Sequence, residues 1–304
     1  MPIPIIIDTD IGEDIDDILV TAFALRSPEF DVQAITTVDG DTQARSRIAR
    51  RVTLTAGKPD IPVVAGYPRR MPQPDVLFPA GTAVTQGELA PDEVGLPPAR
   101  SLRADELIAT LAAERPGELC VVTIGSMTNI GQTLVRFPGT AQHLRAVVTN
   151  GGSFAGRPTS IGWNLRYDPI AAAVVAASGV QWVLLPENAT RFAGLREEEV
   201  QRLRDADQPL ADLLARAIDL WRQNKPDAVP TPHVSDLNVF AHLLGGWLPT
   251  ARGRAVLTVP PDRIAELVIE KDGSGPHLLG GELTQERGRE LRELFMRRVL
   301  APAP

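Results

Sequence analysis

Cysteine is almost missing from this chain: Cys120 is the only one among 304 residues. That excludes an internal disulfide framework and a cysteine-based zinc site. Basic residues fall short of acidic ones, 31 against 38, for a formal charge of −7. Nucleic acid and other polyanions need a basic footprint, so no nucleic-acid partner is expected. No apolar run approaches the ~20 residues that span a bilayer, so no membrane partner is expected either. The segment Met1–Asp8 lacks the basic start and small-residue cleavage site of a secretion signal, and a cytoplasmic location is expected. What the chain does have is apolar bulk, 43% of its residues, enough at this length to bury a sizeable core.

That bulk is arranged as short Val- and Ile-rich runs alternating with amphipathic segments of helix length. Strands are expected at Ile3–Ile7, Val32–Val38, Ile61–Ala65, Leu119–Ile124, Arg145–Thr149 and Gln181–Leu185. Several show no polar alternation, as strands buried on both faces do. Helices are expected at Ile15–Leu25, Gln43–Ala56, Ser101–Ala113, Thr128–Phe137 and Asp168–Ala177, and then at Glu197–Asp205, Pro209–Asn224 and Asp236–Leu244. Two late strands, Ala255–Val259 and Ala265–Glu270, and a final helix at Leu283–Leu300 complete the pattern. Such alternation predicts an α/β fold, with an open, mostly parallel, Rossmann-like central sheet flanked by helices. Pro68–Arg100 and Lys225–Val234 are Pro-rich and read as long loops. With no repeat and no convincing linker, residues 1–304 read as one domain.

The first strand runs straight into Asp8-Thr9-Asp10-Ile11-Gly12-Glu13-Asp14-Ile15-Asp16-Asp17, with six acids in ten positions. Helix capping accounts for one or two of them through the free N–H groups and the dipole. It does not account for Asp8 and Asp10 at a strand end, where Asp is depleted. Crowded carboxylates repel unless a positive charge sits among them, and the chain has no Lys or Arg before Arg26. A divalent cation is the economical partner, and hard oxygen donors point to Ca²⁺ or Mg²⁺. Two chemistries fit. One is a Mg²⁺-dependent phosphohydrolase of the haloacid-dehalogenase type, with Asp8 as nucleophile and Asp10 as acid/base. The other is metal-assisted hydrolysis of an N-glycosidic bond, in which a carboxylate takes a proton from water.

Asp8-Thr9-Asp10-Ile11-Gly12 followed by Asp16-Asp17 resembles the Asp-x-Asp-Pro-Gly-x-Asp-Asp signature of the inosine–uridine-preferring nucleoside hydrolases, with Ile11 for Pro and two extra residues. Further segments resemble the family in the same order. They are Thr37-Val38-Asp39-Gly40-Asp41, Gly125-Ser126-Met127-Thr128-Asn129, Asn150-Gly151-Gly152-Ser153-Phe154, Trp163-Asn164 through Asp168-Pro169, and Ser235-Asp236. The resemblance covers Ile3 to about Leu244. It implies a Ca²⁺-dependent ribonucleoside hydrolase that releases free base and ribose. Asp10, Asp17, Asp236 and the main-chain carbonyl of Ile124 would hold the cation, and Asp10 would act as base. Asp16 and Asn164 would bind ribose hydroxyls, with Asn150 and Asp41 nearby. Asp14, in the two-residue extension, would support Asp16 or replace it as ribose ligand. The family also implies a homodimer or homotetramer and a role in nucleoside salvage.

Two family positions differ. The usual Glu before the Trp-Asn pair is Gly162, which removes a contact on the 5′ side of the ribose. The usual leaving-group His is Ser235, and a serine hydroxyl is a poor proton donor at neutral pH. Among the four histidines, His233 is the one placed to reach a leaving base, although its plainer reading is an ordinary loop histidine. Trp163, Trp221 and Arg222 are expected to help line the base pocket by stacking, although Trp221, at helical spacing with Leu214 and Ile218, also reads as core. These departures leave three expectations open: a nucleoside whose base departs without the usual acid, a 5′-substituted ribosyl substrate, or a non-catalytic ribosyl-ligand binding protein.

Overall fold

The computed structural model describes residues 1–72, 83–90, 103–155, 158–225, 231–259 and 265–302. Six Val/Ile-rich runs form the parallel strands β1 (Ile3–Thr9), β2 (Phe30–Thr37), β3 (Val63–Ala65), β4 (Cys120–Thr123), β5 (Ala146–Asn150) and β6 (Trp182–Leu185), each end within two residues of expectation. The sheet order is β3-β2-β1-β4-β5-β6 and then β9-β7-β8, where β7 is Thr250–Thr258, β8 Glu266–Glu270 and β9 His277–Gly280. β9 lies parallel to β6 and antiparallel to β7, which in turn pairs antiparallel with β8. The open, mostly parallel sheet expected from the alternating pattern is thus present.

Two strands depart from expectation. β7 begins at Thr250, five residues ahead of the apolar run, and its solvent-facing residues give it an amphipathic pattern that Ala255–Val259 alone does not display. β9 is four residues long, between Pro276 and Gly281, and carries too little periodicity to separate it from loop. The expected helix at Ser101–Ala113 is observed as Ala104–Glu114; its first two residues, and most of the two Pro-rich loops, lie outside the described residues.

Helices cover both faces: α1 (Asp16–Leu25), α2 (Thr42–Thr55), α3 (Ala104–Glu114), α4 (Thr128–Arg136), α5 (Thr140–His143), α6 (Gly162–Tyr167), α7 (Pro169–Ala177), α8 (Glu197–Asp205), α9 (Pro209–Asn224), α10 (Leu237–Leu244) and α11 (Gln285–Val299). Because successive side chains on a strand point to opposite faces, β1 feeds both cores. Ile5 and Ile7 join a cluster with α1, α2, α9, α10 and α11, while Ile6 joins the cluster under α3, α4 and α7. Each of these isoleucines is fully buried, so truncating one to Ala costs about 2–5 kcal/mol.

The strand order reverses between β1 and β4. In open α/β sheets, ligands bind outside the carboxyl ends of the strands at such a switch point. The acidic segment after β1 and the Ile124 turn after β4 meet there.

Candidate active site

A cavity of about 370 Å³ opens at this switch point, and most of the residues singled out from the sequence line it. Asp10 and Asp14 reach it from the loop after β1, and Asp16 and Asp17 from the first turn of α1. The helix dipole favours carboxylates at that turn. Ile124 comes from the end of β4, Asn150 from the end of β5, Trp163 and Asn164 from α6, and Asp236 from the residue before α10. His233 and Ser235 precede Asp236 on the rim.

Oxygens of Asp16, Asp17 and Asp236 lie within 4.8 Å of one another, all three side chains buried. The Asp10 charge acts on the same group, raising both Asp17 and Asp236. Their geometry is held by polar contacts from beneath. Thr9 Oγ1 donates to Asp17 Oδ1 at 2.5 Å, and Asn150 Nδ2 donates to Asp236 Oδ1 at 2.5 Å. Asn150 Oδ1 in turn accepts from Asn238 Nδ2 at 2.6 Å. Asp236 occupies the N-cap position of α10 yet makes no capping hydrogen bond; its carboxylate serves the cavity. Asn164 Nδ2 donates to the carbonyls of Ile124 (2.9 Å) and Asn150 (3.2 Å), tying α6 to the ends of β4 and β5.

Close approach of the β4 turn depends on Gly125. A Cβ there would stand 2.7 Å from the Asp10 nitrogen and 3.0 Å from Asp10 Oδ1. Burial pushes the Asp10 carboxyl up to about 7, with Arg45 opposing and Asp39 and Asp16 adding to the rise. Burial and then the neighbouring carboxylates hold Asp17 and Asp236 well above the usual aspartate range. A cluster of this kind is built to receive positive charge, and its oxygen-only donors suit a hard divalent cation.

Several motif residues are structural. Asp8 is fully buried and does not line the cavity; its Oδ1 accepts from Thr36 (2.6 Å) and Asn129 (2.7 Å), tying β1 to β2 and α4. Asp168 caps α7 through Ala171 N–H at 3.0 Å and also accepts from Thr128 Oγ1 at 2.7 Å. Asp41 is not brought to the cavity: it is exposed and caps α2, accepting from Ala44 N–H at 2.9 Å.

The mouth carries the departures from the family pattern. Ser235 Oγ donates to Asp16 Oδ2, so the hydroxyl in place of the usual His is bound to a carboxylate. His233 Nε2 lies 3.3 Å from Asp14 Oδ1 and 3.6 Å from Asp16 Oδ2, with its ring edge-on to Trp221 at 5.8 Å. Lys225 Nζ sits 3.2 Å from Asp14 and 3.6 Å from Glu13. The neighbouring His233 and Lys225 lower the Asp14 carboxyl against the effect of its burial. The two-residue extension therefore builds a rim of alternating charge. Gln86 Nε2 pins it by donating to the carbonyl of Asp14 at 3.1 Å. Trp221 is core, 2% exposed, and does not line the cavity.

Sequence reasoning missed Glu13, Lys225 and Glu187. Glu187 follows β6, and its place just past a parallel strand end was the signal that could have marked it.

The family profile described as inosine-uridine preferring nucleoside hydrolase matches residues 5–285. A pyrimidine-specific ribonucleoside hydrolase, RihA, of Salmonella paratyphi B is 30% identical over 234 residues, covering 75% of this chain and 74% of that one. An uncharacterized Schizosaccharomyces pombe protein is 31% identical over 210 residues, 66% of each chain. Among solved structures, a plant nucleoside hydrolase (PpNRh1) superposes with a TM-score of 0.79 at 22% identity, over 99% of this chain and 100% of that one. The purine-preferring ribonucleoside hydrolase of Gardnerella vaginalis gives 0.80 at 21% identity, over 98% of both.

Proposed function

Because the chain belongs to the inosine-uridine preferring nucleoside hydrolase family, whose members hydrolyse N-ribosyl bonds, we propose that its site is a Ca²⁺-dependent N-ribosyl hydrolase centre acting on a ribonucleoside. The observation that carries this reading is the buried convergence of Asp16, Asp17 and Asp236 beside Asp10 at the switch point. Asp10, Asp17, Asp236 and the Ile124 carbonyl would hold the cation. When bound, it lowers the pKa of water and supplies a nucleophile at neutral pH. Asp10 accepts the proton of the attacking water. Asp16, Asn164 and Asn150 orient the ribose hydroxyls, and the nearby carboxylates stabilise the oxocarbenium character that develops as the C–N bond breaks. His233 stands on the wall facing the base, and Trp163 lines the cavity where α6 meets Glu187.

The phosphohydrolase alternative needs Asp8 as an accessible nucleophile, and Asp8 is fully buried away from the cavity. The binding-protein alternative leaves a base beside an acidic cluster without a task. Incubation with a panel of nucleosides and their 5′-monophosphates, assayed for free ribose and free phosphate, separates the three. Ribose release is expected. Phosphate release without ribose, or thermal protection by ribose without turnover, would overturn the reading.

Metal occupancy has a stability consequence with a definite sign. The Asp10, Asp17 and Asp236 carboxyls bind protons more tightly when folded than when unfolded, from an ordinary 3.8 to about 7 for Asp10. A group with a raised folded pKa loses its stabilising effect as pH climbs through that value. The metal-free protein is therefore expected to melt at a higher temperature near pH 5 than near pH 8, with added Ca²⁺ restoring the loss at the upper end. Thermal denaturation across that range, with and without Ca²⁺, checks both arms. A metal-free melting temperature that rises over this window would contradict the cluster's role.

A further inference from the structure

The missing acidic side chain at position 162 is supplied from elsewhere in the fold. Helix α6 starts at Gly162 with φ +69°, and the next residue, Trp163, donates its N–H to Glu187 Oε1 at 2.9 Å. A Cβ on residue 162 would lie 2.1 Å from Glu187 Oε1 and 2.6 Å from the Gly152 nitrogen. The volume that a side chain at 162 would fill is thus taken by the Glu187 carboxylate, which reaches in from the end of β6 and lines the cavity. Any larger residue at 162 would displace the acid.

The position of Glu187 along the sheet edge gives it a task. Strand ends meet the cavity in the order β1, β4, β5, β6. Neighbouring strands are about 4.8 Å apart, so Glu187 lies on the flank opposite the extension that carries Asp14 and holds Lys225 and His233. The buried Asp16–Asp17–Asp236 group, tied to the end of β1 through Thr9 and to the end of β5 through Asn150, lies between. In a ribosyl substrate, the base and the hydroxymethyl group leave the furanose ring on either side of the ring oxygen and point to opposite flanks. As the C–N bond breaks, electrons move onto the base. Lys225, which also offsets Glu13 and Asp14, brings a cationic donor to that flank and His233 a ring that can donate an N–H, whereas Glu187 would oppose the charge. The base therefore belongs at the Lys225–His233 flank and the hydroxymethyl at Glu187.

We propose that Glu187 accepts the substrate's primary 5′-hydroxyl and bars a phosphate from that position, so that the site takes nucleosides rather than nucleotides. This assignment rests on the N-ribosyl hydrolase reading. Burial also raises the Glu187 carboxyl to about 7, consistent with a group that gains from a hydroxyl donor.

The test compares kcat/KM for a nucleoside, its 5′-deoxy analogue and its 5′-monophosphate in wild type, Glu187→Gln and Glu187→Ala. In wild type, loss of the hydroxyl is expected to lower kcat/KM by about 10- to 100-fold, as for a hydrogen bond to a charged group. Glu187→Ala should bring nucleoside and 5′-deoxy analogue to within about threefold of each other. Glu187→Gln keeps an acceptor for the Trp163 N–H and for the hydroxyl; it should retain most of the hydroxyl preference while admitting the monophosphate more readily. If Glu187 only braces α6, both variants lower all three substrates in parallel and the ratios stay as in wild type, which overturns the assignment alone. Absence of ribose release from any nucleoside by the wild-type protein overturns the hydrolase reading and this assignment with it.

Discussion

Replacing Asp10 with Asn should cut ribose release by about 10³-fold while leaving the chain folded, because a positioned general base contributes roughly 10²–10⁴-fold. The amide keeps the shape and the oxygen that faces Gly125, but it cannot take a proton from water. The loss should fall on kcat. KM should move little, since Asp16, Asn164 and Asn150 still meet the sugar hydroxyls. Asn also removes one carboxylate from a crowded group, so the metal-free variant should melt no lower than wild type at neutral pH. Steady-state kinetics together with a thermal melt check both halves. Near-wild-type kcat would remove Asp10 from the role of base.

The second large effect concerns a residue outside the cavity. Arg45, on α2, is fully buried. It donates to the carbonyls of Asp39 (2.8 Å) and Ile11 (2.9 Å) and to that of Asp10 itself, and it lies 4.0 Å from the Asp39 carboxylate. One guanidinium thus holds the loop after β1 against the turn after β2, where Asp39 sits at φ +70°. Its charge also lowers the Asp10 carboxyl against the pull of burial. Arg45→Met strips three carbonyls of that donor and leaves the Asp39 charge without this partner. Breaking a buried ionic contact by removing one member costs about 3–5 kcal/mol, so the urea midpoint should fall sharply. Activity should fall as well in whatever remains folded, because Asp10 loses its anchor. A variant with an unchanged midpoint would show that the network carries little energy.

The sequence made most of the parallel strands legible because they are short apolar runs rich in Val and Ile with little polar alternation, too short for helices and set between helix-length segments. The acid-rich turn after β1 was legible for a different reason: six carboxylates crowded into ten positions, two of them at a strand end where Asp is depleted, demand a physical cause. Asp16, Asp17, Asp236, Asn150 and Asn164 could be named because short local motifs carry them, and all five line one cavity. Asp41 shows the limit of that logic. It stands in a recognisable motif, yet a helix start claims its side chain. Glu187 shows the opposite limit. No local pattern surrounds it, and its meaning depends on Gly162, a residue that is remote in sequence and matters by having no side chain. The charge pairing of Asp14 with His233 and Lys225 was hidden for the same reason, since it joins a two-residue extension after β1 to the chain beyond α9.

The net charge of −7 first reads as a mild surface excess that disfavours polyanions. Much of that acid is instead gathered at one sheet edge, where it faces a cavity rather than bulk solvent.

The most direct test of the central claim is ribose release from a cleavable nucleoside, measured on chelator-stripped protein while free Ca²⁺ is titrated back. Turnover at background without the cation, rising to a plateau as Ca²⁺ is restored, is the predicted result. Undiminished ribose release from the stripped protein would contradict the assignment of Asp10, Asp17, Asp236 and Ile124 as a cation site that hydrolysis requires.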